Sequence, residues 1–346
     1  MNARRQILLI AALLPAVAGA AVRSAALSAP RLPGLLSSEP TRINRADQML
    51  VPVMIDGKGP FQFLVDTGAN GSMISPRLVK ALGLALGRGV VERVEGVTGT
   101  EPLPWVLIRR LQVGRIVKTD VRMPICTSPI MAHLDGILGM AGFGPVRIAV
   151  DFRHHRVSID RSSPGMLWGF LDIHATRTPG GLLMVPASVG GVEVEAVIDT
   201  GSPETLGNPA LRNALLSRRD RAPTTPIYGV TQQVSTGIRA FAPPMILGPA
   251  EIEHVPIVYS DVPIFAEWHL NSRPAVIIGM DVLGAVDSLV LDYPRARVYL
   301  LTAPPPISMA DAGLSLPGGL MIFAAYTAMT TSSSLSAGRV IRLGLA

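Results

Sequence analysis

The chain has 346 residues, 48% of them hydrophobic and 16% charged, enough apolar material for two ordinary cores and too little charge for a disordered chain. Its formal net charge of +6 comes mostly from arginines scattered singly or in pairs; without a basic stripe interleaved with aromatics, nucleic acid is not expected as a partner. The single cysteine, Cys126, excludes an intramolecular disulfide framework and reads as a small buried hydrophobe.

Residues 1–20 have the form of a signal peptide. Arg4 and Arg5 precede a short apolar run over residues 7–18, and Ala18-Gly19-Ala20 offers a small-x-small cleavage site. The run is short for a membrane span and is broken by Pro15. The arginine pair resembles a twin-arginine export signal, and ordinary Sec export fits equally. Both place the protein in the periplasm or outside the cell, with an uncleaved inner-membrane anchor as the alternative. No later stretch reaches about 18 consecutive apolar residues, so no stable span is expected after signal removal. Residues 21–45 read as a linker or pro-segment.

Glycine and proline are frequent, at 34 and 30 residues, and short β-branched runs lie between them. That pattern predicts an all-β protein. Residues 46–165 and 166–303 then repeat one grammar. "VPVMIDGKGPFQFLVDTGANGSMIS" (51–75) aligns with "VPASVGGVEVEAVIDTGSPETLGN" (185–208), each a hairpin feeding an Asp-Thr-Gly turn. Asp66 and Asp199 are 133 residues apart, as are the Gly-Val-Thr turns that start at Gly96 and Gly229. Near each end, Ile137-Leu138-Gly139 and Ile277-Ile278-Gly279 precede a Met. A strand, an Asp-aromatic turn (Asp151-Phe152, Asp292-Tyr293) and a last strand follow.

Two such turns brought together across a pseudo-twofold axis would set the Asp66 and Asp199 carboxyls within a few ångströms. Both could not stay ionised, and one proton would be shared. The ionised partner can act as general base on water while the protonated one polarises a carbonyl. That chemistry needs neither metal nor cofactor. Gly68 and Gly201 allow the tight turn, and Thr67 and Thr200 can hydrogen-bond across to the opposite turn.

The paired "LVDTGA" with "ILG" and "VIDTGS" with "IIG" resemble the pepsin/retropepsin superfamily of aspartic proteases, in the bacterial retropepsin-like form with both lobes in one chain. The resemblance covers about residues 46–303. It implies two pseudo-twofold-related β-barrel lobes with a catalytic cleft between them. Asp66 and Asp199 become the dyad, supported by Thr67, Gly68, Thr200, Gly201 and Ser202. Gly139 and Gly279 become the glycines of a ψ-shaped core, in which the apolar-apolar-Gly strand threads beneath the catalytic loop. Gly96, Val97, Thr98 and Gly99, with Gly229, Val230 and Thr231, become flap tips. Tyr228 borders the second tip, and the first has no aromatic. Ser202 is expected to donate to the Asp199 carboxylate where Ala69 offers nothing to Asp66, leaving Asp66 with the shared proton.

Asp281, opposite Ala141 in the first repeat, reads as a helix N-cap. His154 and His155 lack a spaced set of partners and read as surface turn, not as a metal site. Asp151 and Asp292 read as caps of equivalent turns. Residues 304–346 form a tail without a counterpart in the first repeat. The resulting expectation is a monomeric endopeptidase that takes a peptide or protein substrate as an added strand. The alternative is a catalytically inactive peptide-binding module on the same fold.

Overall fold

The computed structural model describes residues 38–43, 48–89, 91–140, 146–162, 167–215, 223–302 and 341–343, all within the unit Leu32–Ala346. The expected signal peptide, most of the 21–45 segment, most of the 304–346 tail and Ala141 lie outside the described residues. The fold is almost entirely β.

Each repeat opens with a hairpin whose turn its sequence dictates. Met49–Ile55 returns as Lys58–Asp66 through Asp56 and Gly57, at φ 48° and 79°. Leu183–Val189 returns as Val192–Ile198 through Gly190 and Gly191, at 56° and 81°. Two consecutive positive φ values are what a tight two-residue hairpin requires, and Asp-Gly and Gly-Gly adopt them at low cost. Alternate residues then face the core, as Val51, Val53 and Ile55 do.

One strand threads each lobe and pairs on both sides of the Asp-Thr-Gly turn. Gly136–Gly139 runs parallel to the first aspartate strand, with Leu138 opposite Val65 and Gly139 opposite Asp66. Its other edge pairs antiparallel with Met73–Ile74. Ala275–Ile278 repeats the arrangement between Val192–Ile198 and Leu206–Gly207. The chain on both sides of each Asp-Thr-Gly is thus clamped to one central strand, the ψ-shaped core implied by the resemblance. Glycine ends the first of these strands and directly follows the second, for lack of room. A Cβ on Gly139 would meet the Gly71 carbonyl oxygen at 2.3 Å, and one on Gly279 that of Glu204 at 2.5 Å. A short helix follows each turn. Ser75 caps Pro76–Leu82 by accepting the Leu78 N–H at 3.2 Å, and Asn208 accepts the Leu211 N–H at 2.9 Å ahead of Pro209–Leu215.

The closing strands of the two repeats pair with each other. Among the described residues one sheet runs in the order Ser38–Pro40, Arg156–Arg161, Val146–Asp151, Ser288–Asp292, Arg297–Leu301, Leu171–His174. Its seam is antiparallel, with Arg147 opposite Asp292, Ala149 opposite Val290 and Asp151 opposite Ser288. The main apolar cluster accordingly runs through both repeats, from Met49 and Val51 to Val298 and Leu300. From the tail, Ile341–Leu343 adds a strand beside Ala250–Ile252.

Candidate active site

Lys58–Asp66 ends on one aspartate and Val192–Ile198 stops just before the other, so both carboxyls project from strand ends into turns. The turns interlock through their threonines. Thr67 Oγ1 donates to the Ile198 carbonyl at 3.0 Å and accepts the Thr200 N–H at 3.0 Å. Thr200 Oγ1 donates to the Val65 carbonyl at 2.7 Å and accepts the Thr67 N–H at 3.2 Å. Both threonines are 1% exposed, so each bond is shielded from competing water. Glycine is obligatory next to them. A Cβ on Gly68 would lie 2.3 Å from the Asp199 carboxyl carbon, and one on Gly201 would lie 2.3 Å from that of Asp66.

Asp66 and Asp199 are half-buried, with their carboxyls in hydrogen-bonding contact. Asp66 is held well above the usual carboxylate range, first by burial, then by the charge of Asp199 and the hydrogen bond between the two. Burial also raises Asp199, and N–H groups facing its carboxylate oppose the shift. Gly68 N–H donates to Asp66 Oδ1 at 2.9 Å, while Gly201 and Ser202 N–H groups donate to Asp199 Oδ1 at 2.8 and 3.2 Å. The dyad is therefore asymmetric in the direction expected, but not through the Ser202 hydroxyl. That hydroxyl donates to the Glu204 carbonyl at 2.7 Å, a local side-chain-to-backbone turn that leaves only the backbone N–H for Asp199.

The two turns expected to be flap tips meet one another. Glu92–Gly96 and Gly99–Leu103 form the first hairpin, Thr224–Tyr228 and Val234–Ala242 the second. Thr98 and Thr231 hydroxyls are hydrogen-bonded at 2.9 Å, and both residues are buried. Each tip valine crosses over: Val97 packs on a cluster of the second lobe that includes Leu206 and Ile277, and Val230 on one of the first lobe that includes Leu64 and Ile137. The approach is close enough that a Cβ on Gly96 would sit 2.7 Å from Val230, and one on Gly229 would sit 2.8 Å from Val97. The second tip is also tied down by side chains of the first lobe. Ser128 Oγ donates to the Gly229 carbonyl at 2.6 Å, Cys126 Sγ to that of Val230 at 3.2 Å, and Glu101 accepts the Gln232 N–H at 2.8 Å. Cys126 is fully buried, and burial raises its thiol pKa.

Other expectations are placed as follows. Asp281 is not the N-cap: the Ala275–Ile278 strand runs on so that Gly279 takes that position, and Asp281 Oδ1 accepts the Thr205 hydroxyl at 2.6 Å in the first turn of Met280–Leu283. His154 is exposed and pairs with Asp151 at 2.9 Å. Asp151 accepts the His154 N–H and Asp292 the Arg295 N–H, so both close their turns. Among the described residues no group of His, Cys, Asp and Glu suits a metal ion, and no helix is long and apolar enough to cross a membrane. Two residues at the Asp-Thr-Gly turns were missed by sequence reasoning. Gln48 Nε2 donates to the Gly201 carbonyl, and Tyr293 Oη donates to the Thr67 carbonyl at 3.4 Å. For Tyr293 a signal existed: the Asp-aromatic turn carries a hydroxyl in one repeat and none in the other.

Two ψ-cores, paired Asp-Thr-Gly turns and interlocked threonines define a bilobal, retropepsin-like aspartic protease fold. Comparison with models of protein families matches the one described as aspartyl protease twice, over residues 51–141 and 185–282. The chain belongs to that family. No curated protein matches it significantly.

Proposed function

We propose that the protein is an aspartic endopeptidase that cleaves extended peptides with a water molecule activated by Asp66 and Asp199. The observation that carries this reading is the contact between the two carboxyls, with burial raising both and the charge of Asp199 raising Asp66 further. Asp66 holds the shared proton and donates a hydrogen bond to the scissile carbonyl oxygen. Asp199, ionised, takes a proton from water as the oxygen adds to the carbonyl carbon. That proton then passes to the leaving nitrogen, the C–N bond breaks, and an acid and an amine are released with no covalent intermediate.

A substrate strand enters once the Thr98–Thr231 contact parts. Val97 and Val230 then leave apolar surfaces beside the turns, the second of them next to Ala69, which favours apolar side chains around the scissile bond. One chain supplies both halves of the site, which supports a monomer as the active species. The basic-then-apolar start of the sequence supports export to the periplasm or beyond.

The test is digestion of a denatured-protein peptide library. Pepstatin-sensitive cleavage that Asp66→Asn abolishes supports the reading. Peptide binding without turnover in the wild type would replace it with the inactive module.

A further inference from the structure

We propose that Gln48 and Tyr293 are positioning residues, each bracing the catalytic turn of the opposite lobe; this rests on the aspartic protease reading above. Gln48 lies just ahead of Met49–Ile55 in the first lobe, is 8% exposed, and donates from Nε2 to the Gly201 carbonyl of the second. Tyr293 lies in the closing turn of the second lobe and donates to the Thr67 carbonyl of the first at 3.4 Å.

The two carbonyls share a property that explains the choice. A peptide unit is planar, so fixing its C=O also fixes the N–H on its other side. The Thr67 carbonyl shares its plane with the Gly68 N–H, which donates to Asp66 Oδ1 at 2.9 Å. The Gly201 carbonyl shares its plane with the Ser202 N–H, which donates to Asp199 Oδ1 at 3.2 Å. Each brace therefore grips the peptide that holds one carboxylate of the dyad, and polarises it in the sense that strengthens that N–H as a donor.

Neither brace is duplicated. Phe152 and Leu182 occupy the repeat-related positions and carry no hydrogen-bonding side-chain atom. Tyr293 is itself held by the Arg177 guanidinium on its carbonyl, in a turn closed by Asp292 and Arg295. Its hydroxyl is kept neutral by burial and by the facing charges of Asp66 and Asp199.

A brace that strengthens an N–H bond to a carboxylate favours the ionised form. Its loss should raise the apparent pKa of the carboxyl on its own side. Tyr293→Phe and Gln48→Met, made in the full chain, test this with two readouts: the pH–rate profile on a cleaved peptide, and an NMR titration of 13C-carboxyl-labelled aspartate, which needs no turnover. Tyr293→Phe is expected to move the basic limb to higher pH, and Gln48→Met the acidic limb, each by about half a unit. Turnover should fall roughly five- to tenfold, as for loss of one hydrogen bond, with KM within about twofold of wild type. Variants that melt with the wild type and superimpose on it in both readouts would overturn the proposal. A wild type that cleaves nothing would instead overturn the protease reading, and the NMR titration would still decide the bracing.

Discussion

At the scale of single residues, the dyad is a stability liability at neutral pH, and the sign follows from linkage. Both carboxyls are raised in the folded protein, so the folded state keeps a proton that the unfolded chain has released. The stabilisation is complete below the ordinary aspartate pKa and is lost as pH rises through the raised one. Each unit of upward shift costs about 1.4 kcal/mol at neutral pH. Asp66→Asn, which removes the buried charge conflict, is therefore expected to melt above wild type at pH 7, with the gap closing towards pH 4. A gap that widens on acidification would contradict this. Ala69→Ser tests the other residue-scale point. Because the Ser202 hydroxyl serves the Glu204 carbonyl, a serine at position 69, beside Asp66, should leave the basic limb of the pH–rate profile within about 0.3 units of wild type, a shift small against the spread of carboxyl environments. A larger movement would restore a direct role for the hydroxyl. The Asp-Thr-Gly turns were legible because their residue types are chemically compulsory: no side chain but hydrogen fits beside either carboxyl. The Ser202 contact was not, since a hydroxyl chooses between carboxylate and carbonyl by fractions of an ångström.

At the scale of elements, the two tip hairpins are latched to one another and, through their tips, to the opposite lobes. Thr98→Val deletes the Thr98–Thr231 bond at little change in shape and leaves Thr231 buried without it. Loss of a net hydrogen bond of about 0.5–1.5 kcal/mol should raise the open population roughly two- to tenfold. Amide exchange at residues 92–103 and 229–234 reads that change directly, and unchanged exchange would show that the latch bond does not hold the flaps. The sequence marked both tips, since Gly-Val-Thr recurs at the spacing of the aspartates. It did not reveal that the tip valines cross to the opposite lobe, or that Cys126 and Ser128 tie down only one tip. Those contacts join residues more than 100 positions apart, and no local pattern encodes them.

At the scale of the whole molecule, the shared sheet joins the two repeats into one folding unit. Leu289 is fully buried and faces Val150 across the seam. Leu289→Ala is expected to cost about 2–5 kcal/mol and to destabilise both lobes together. Calorimetric and van't Hoff enthalpies should stay equal in one transition, and two resolved transitions would contradict the shared core. The repeat disclosed that there are two lobes, because hydrophobic alternation and turn residues recur in order. The seam was hidden, because Val146–Asp151 and Ser288–Asp292 read as ordinary buried strands and nothing in either names its partner. Gln48 and Tyr293 were hidden for the same reason: each works on the lobe to which it does not belong.

The central claim is that each lobe contributes one indispensable carboxyl to a single site. The direct measurement is the cleavage rate of one peptide substrate by wild type, Asp66→Asn and Asp199→Asn, each checked for a wild-type fold. Removing either half of a general acid–base pair should cost at least about a hundredfold to ten-thousandfold, so both variants are predicted to fall by that much. Turnover near the wild-type rate in either variant would contradict the account.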